Sequence, residues 1–149
     1  MQPILSFKKS MEHIRMPTYG TMGAACFDFY SSNQEFSYTI QPGETFPVNT
    51  QLIPIIPVGY SLRLHARSGL AIKHGIVLAN GEGIIDEDYR QNIIIALKNT
   101  SQTPFVLEPF MRIAQGELVQ DTRAIVLEFR GDVEQVGNRT GGLGSTGTI

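Results

Sequence analysis

Three acids and a tyrosine, Asp86, Glu87, Asp88 and Tyr89, lie between the short apolar step Ile84-Ile85 and the longer apolar run Ile93-Ile94-Ile95-Ala96-Leu97. That run is mostly β-branched and free of Gly and Pro, so it reads as a strand covered on both faces, with the acids at its edge. Glu82-Gly83 and Glu87-Asp88 have the residue types of bends, making a hairpin-like loop that holds Asp86 between two hydrophobic anchors. A carboxylate fixed in this way can hold a water and take its proton. The same cluster of acids is also what a solvated turn looks like, and this stretch alone does not choose between the two.

A second candidate lies at the C-terminus, where GNRTGGLGSTGTI carries five glycines in thirteen residues. A chain so permissive loses much entropy on ordering and settles only around something. Its N–H groups and the hydroxyls of Thr140, Ser145 and Thr146 could wrap an anion, as glycine-rich loops do with phosphates. The alternative is a frayed terminus. Cys26, flanked by Ala25 and Phe27, is the one cysteine. It reads as a small core residue in the absence of a cysteine–histidine motif.

The elements that must position these groups are short. Apolar runs punctuated by Pro and Gly mark strands near Ile4–Phe7, Phe27–Tyr30, Phe36–Ile40, Phe46–Val48, Leu52–Ile56, Tyr60–His65, Ile76–Leu78, Ile93–Leu97, Phe105–Leu107, Ile113–Val119 and Ala124–Phe129. Strands at this spacing suggest a β-sandwich or barrel, with helix confined to a turn or two at Ser68–Lys73. A chain of 149 residues is one domain's worth and needs no disulfide. Twelve basic against fourteen acidic residues, with no basic run beyond Lys8-Lys9, argue against a nucleic-acid-coating surface. One bound triphosphate needs only a few placed cations and a metal. No signal peptide or membrane-length apolar run is recognisable, so a cytoplasmic protein is expected. For the same reason the sequons at Asn99 and Asn138 are set aside.

Five segments, spanning residues 24 to 147, closely resemble in order and spacing the motifs of the trimeric deoxyuridine triphosphatase (dUTPase) family. They are AACFDFYS with Asp28; ARSGLAIKHG with Arg67 to Gly75; GIIDEDYR, Gly83 to Arg90; RIAQ, Arg112 to Gln115; and GGLGSTG, Gly141 to Gly147. The resemblance implies an all-β, distorted jelly-roll barrel that assembles as a homotrimer with shared active sites. A single domain over residues 1–136 would be followed by a flexible arm, 137–149, that closes over the site. The implied reaction is hydrolysis of dUTP to dUMP and pyrophosphate, which keeps dUTP out of DNA and supplies dUMP for dTMP synthesis. The implied setting is the cytoplasm, or that of the host cell if the source is viral.

The resemblance also assigns roles. Asp86 is the implied general base, and Asp28 contacts Mg2+ through water. Arg67, Ser68, Gly69 and Gln115 meet the phosphates, while Arg112 braces the site. The hairpin Ala79–Ile85 reads uracil, with substrate contacts at Asn80, Gly83 and Ile85, and Tyr89 lies against the deoxyribose. Arg139, Leu143, Gly144 and Ser145 belong to the closing arm.

This chain departs from the family pattern in several places. Cys26 replaces a usual Gly, Ala66 a frequent Pro, and Gln91 the Gly after DYR, which matters only where a positive φ is required. Leu143 stands in place of the aromatic over uracil. Base stacking is worth about 1–3 kcal/mol in single-stranded nucleic-acid binding, so a raised KM is expected while the chemistry persists. The fifth motif is one residue short, leaving Asn138 in register with the γ-phosphate arginine and Arg139 one place late. Two rival readings accompany the main one. GIIDEDYR speaks against the deoxycytidine triphosphate deaminase branch, which shares the fold. A regulatory, partner-binding trimer with vestigial or secondary dUTPase activity would leave no separate mark in the sequence.

Overall fold

The computed structural model describes residues 2–32, 37–138 and 141–142. Its strands are β1 (Ser6–Lys9), β2 (Thr18–Tyr19), β3 (Phe27–Tyr30), β4 (Tyr38–Ile40), β5 (Thr45–Asn49), β6 (Leu52–Ile55), β7 (Tyr60–Ala66), β8 (Ile76–Leu78), β9 (Gly83–Ile85), β10 (Ile94–Asn99), β11 (Phe105–Leu107) and β12 (Arg112–Gln120). Among the described residues one helix, α1 (Ser68–His74), interrupts them. Its placement follows local chemistry: Arg67 enters extended, Lys73 and His74 face the negative end of the helix dipole, and Gly75 closes it in the left-handed conformation.

The strands pair antiparallel in every sheet. The largest has the order β2-β3-β12-β7-β9, and a second is β5-β10-β8, with β1-β6 and β11-β4 as two-stranded flanks. Strand periodicity decides which side chains go inward. Along β7, Leu62 and Leu64 are buried while Arg63 and His65 stay partly accessible, as expected when successive side chains alternate between faces. Phe27, Phe29, Ile95, Leu97, Ile113 and Ala114 join them in one core. In the middle of it Asn99 is fully buried. Its amide donates to the carbonyls of Ile40 and Thr103 and accepts from Ser101 N–H and Oγ, which staples two loops and leaves the side chain no freedom as a glycosylation acceptor.

Three expectations need correction. The Ile93–Leu97 run is not covered on both faces, because Ile94 is 48% exposed and Lys98 is exposed. Ile93, Ile95, Leu97 and Asn99 turn inward, and Ile94 instead lines a cleft. Ala124–Phe129 forms no strand; Ile125, Val126, Leu127 and Phe129 are all more than 70% exposed. Its pattern is that of a strand, but it pairs with no strand among the described residues. Cys26 is half-buried rather than in the core. Partial burial, followed by the charges of Glu117 and Asp28, pushes its thiol pKa up, which opposes thiolate chemistry.

Candidate active site

The chemistry-bearing residues fall into two groups. The first surrounds a cleft of about 210 Å³ lined by Leu64, Leu78, Asn80, Gly83, Ile84, Ile85, Asp86, Tyr89 and the 93–96 segment. Its wall is the β8–β9 turn, which is not the expected hairpin: β8 pairs with β10 and β9 with β7, so the turn carries the chain from one sheet to the other. Gly81 turns it with φ +73°, and the Gly81 and Glu82 N–H groups donate to the carbonyls of Leu78 and Asn80. The bend therefore falls one or two residues earlier than Glu82-Gly83, and Gly83 is already in β9. Glycine is required there for a different reason. Gly83 pairs with Leu64 across the sheet, and an added Cβ would lie 2.9 Å from the Leu64 Cβ.

After β9 the chain turns again, with Tyr89 N–H donating to the Asp86 carbonyl at 3.1 Å. Tyr89 is half-buried against the core, and its hydroxyl donates to the Asn92 carbonyl at 2.9 Å, so the ring is fixed as part of the wall. Asp86 is exposed, and its carboxylate takes no hydrogen bond from any described residue. It is free to meet a water and a ligand. Gln91, which follows Arg90, is not at positive φ, so replacing the family glycine introduces no backbone strain.

The second group gathers on Asp28. This carboxylate is nearly buried and sits between two guanidinium groups: Arg67 Nε donates to Oδ1 at 3.0 Å, and Arg112 Nη1 reaches Oδ2 at 3.5 Å. Arg67 Nη1 also donates to the Arg112 carbonyl at 3.2 Å, which makes Arg112 a brace for Arg67. Gln115 lies directly opposite Asp28 in the β3–β12 register and opposite His65 in the β12–β7 register. Ser68 and Gly69 are the exposed first residues of α1, immediately after Arg67. Sheet register explains the assembly: Asp28, Gln115 and His65 form one row across β3, β12 and β7, on the face opposite Leu62 and Leu64.

None of Asp28, Arg67, Ser68, Gly69 or Gln115 lines the Asp86 cleft. The cleft is also smaller than the roughly 300–1,000 Å³ of a pocket that takes a whole ligand, so it suits one part of a divided molecule. The Asn80 amide at this cleft suits the polar edge of a heterocycle, whereas the arginine group suits an anion.

Among the described residues, no three His, Cys, Asp or Glu side chains converge to hold a metal. Magnesium needs no such cage, since it keeps waters and takes phosphate oxygens. Asp28, already balanced by two cations, fits as an acceptor from metal-bound water better than as a direct ligand. Arg139, Leu143, Gly144 and Ser145 lie outside the described residues. Sequence reasoning missed the outer cluster of Arg63, His65, Glu82 and Glu117, in which His65 Nε2 lies 3.0 Å from Glu117 and Arg63 Nη1 lies 3.8 Å from Glu82. It also missed the role of Glu87, whose partners are distant in sequence. Alternation along β7 was the one available signal.

The dUTPase family profile matches residues 12–147. The chain is 39% identical over 132 residues to the deoxyuridine 5'-triphosphate nucleotidohydrolase of Chlamydia pneumoniae, an alignment covering 89% of this chain and 90% of that protein. It is 42% identical over 133 residues to the protein of the same name from Burkholderia ambifaria, covering 89% and 88%. Among solved structures, the fold is similar to a mutant dUTPase from Staphylococcus phage 80α, with a TM-score of 0.83 at 24% identity over 97% of this chain and 99% of that one. It is also similar to a phage φ11 dUTPase from S. aureus whose description names a structural Mg(II) ion, with a TM-score of 0.77 at 20% identity over 88% and 99%. With an all-β jelly-roll architecture and sequence similarity along most of its length, the chain belongs to the dUTPase family.

Proposed function

We propose that this protein hydrolyses dUTP to dUMP and pyrophosphate as a magnesium-dependent homotrimer acting in the cytoplasm, with each site built from more than one chain. One observation carries the reading: the cleft holding Asp86 and the arginine group on Asp28 are both well formed, yet none of the latter lines the former. A second copy that brings its Asp28 group to the mouth of the cleft would complete the site. The exposed apolar side chains of Ile125, Val126, Leu127 and Phe129 offer surface for such association.

In this site the turn between β8 and β9 reads uracil, because a cytosine would leave a buried donor or acceptor unpaired. Tyr89 packs on the deoxyribose and excludes a 2′-hydroxyl. Asp86 takes the proton from a water as it attacks the α-phosphorus, a role worth roughly 10²–10⁴-fold in rate. The bond between that phosphorus and the bridging oxygen breaks, and pyrophosphate leaves. Arg67 orients the phosphates, Ser68 donates to the charge growing on the leaving group, and Gln115 adds a polar contact. Magnesium on the triphosphate, held by Asp28 through water, would gather the phosphates and spread their charge. The residues of the closing arm, Arg139, Leu143, Gly144 and Ser145, would cover base and phosphates.

The test is pyrophosphate release from dUTP, dTTP, dCTP and UTP, with magnesium or chelator, for the native chain and Asp86→Asn. Turnover of dUTP alone, lost with chelator and reduced by at least about 10²-fold in Asp86→Asn, is expected. Undiminished activity in Asp86→Asn would remove the base assignment. Binding without cleavage would favour a nucleotide-responsive binding protein.

A further inference from the structure

The Asp86 carboxylate accepts no hydrogen bond among the described residues, so its direction is set by the backbone on either side. Upstream, Ile85 is held by pairing with Leu62 of β7. Downstream, the holding group is the side chain of Glu87. Its Oε2 accepts the Gly59 N–H at 2.6 Å, and its Oε1 lies 3.1 Å from Arg123 Nη2. Its carbonyl also accepts from Arg90 Nη1 at 2.7 Å. Gly59 is itself fixed, since its carbonyl accepts the Asp121 N–H at 2.9 Å, and Asp121 accepts in turn from Ser61 Oγ at 2.8 Å. The Glu87 side chain is only 21% exposed, although it stands in a loop between two exposed acids.

We propose that Glu87 is a positioning residue, whose carboxylate ties the Asp86 loop to the Gly59 turn and to the start of the C-terminal segment at Arg123. The proposal rests on the reading of Asp86 as the base. Its physical basis is geometric. A general base must stand within hydrogen-bond reach of the proton it takes, and a displacement of about 1 Å can cost on the order of 10²-fold in rate. In the proposed site uracil and deoxyribose meet the β8–β9 turn and Tyr89, whereas the Glu87 carboxylate is bonded to Gly59 and Arg123. Loss of the tie therefore acts on the chemical step and spares binding.

The experiment measures kcat, KM for dUTP and Tm for the full chain in Glu87→Ala, Glu87→Gln and Asp86→Asn. Glu87→Ala is expected to lower kcat by about 10-fold or more with KM within about threefold. Glu87→Gln keeps an acceptor for Gly59 and should recover most of the lost rate. Should the alanine chain fail to fold, Glu87→Asp, which withdraws the carboxylate by one methylene, is expected to show the same fall in kcat. Unchanged kcat in Glu87→Ala with Asp86→Asn inactive overturns the positioning role and leaves the base in place. A loss that follows Tm and KM together, with no recovery in Glu87→Gln, also overturns it. Full activity in Asp86→Asn removes the base and this inference with it.

Discussion

Two single residues show how narrowly the site is built. Gly83 pairs with Leu64 across the β7–β9 ladder, where an added Cβ would lie 2.9 Å from the Leu64 Cβ, and both residues line the cleft. Gly83→Ala must displace either Leu64 or the β8–β9 turn. Overpacking of this kind costs about 1–3 kcal/mol, so a lower urea midpoint is expected together with a raised KM for dUTP. A normal KM would mean that Leu64 alone gives way and the turn stays in place. Asp28 illustrates the opposite economy: one nearly buried carboxylate holds two arginines, which would orient the proposed anion-binding face before any ligand arrives.

At the scale of elements, the turn joining β4 and β5 carries a titratable contact away from the cleft. The Tyr38 hydroxyl donates to Glu44 Oε1 and the Gln41 N–H to Oε2, while the Tyr38 and Phe46 rings stack 3.8 Å apart. The Tyr38 hydrogen bond, then that of Gln41, lower the Glu44 pKa below its ordinary 4.5. A lowered carboxylate pKa adds stability at pH above the ordinary value, and that stability fades as pH falls through the lowered one. The Tyr38 pKa is raised by the same bond, so its share is present below pH 10 and fades as pH rises through the raised value. Tyr38→Phe is therefore expected to flatten both the acid and the alkaline limbs of Tm against pH. An unchanged acid limb would leave Gln41 as the only holder of Glu44.

At the scale of the molecule, two half-sites on one chain suggest a direct test of sharing. Asp86→Asn and Arg67→Gln chains are each expected to be nearly inactive alone. Unfolded together and reassembled in equal amounts, they should regain activity at about a quarter of the sites, from random pairing of chains. No recovery would mean that each chain carries a complete site. The exposed apolar segment around Ile125 and Phe129 makes the same point from stability, because a surface of that kind is rarely left uncovered.

Much of this was legible in the sequence, for identifiable reasons. Strand periodicity placed β3, β7, β8 and β11 closely, since alternation is set by backbone geometry and survives any tertiary context. The motif residues Asp28, Arg67, Asp86, Tyr89 and Gln115 were singled out by the resemblance of their segments to the family motifs, and their roles are those proposed above. Whether Ile94 and Ala124–Phe129 are covered was decided only by tertiary structure, because covering a strand takes a neighbouring edge that local sequence does not contain. The ties of Glu87 to Gly59 and Arg123 were equally invisible, as were the convergence of Arg67 and Arg112 on Asp28 and the separation of that group from the cleft. Each joins residues tens of positions apart, and such pairings follow from which strands lie side by side. The sequence alone determined the chemistry available and the periodicity that sorts its faces. The tertiary fold decided which groups meet, since contact depends on sheet order and register.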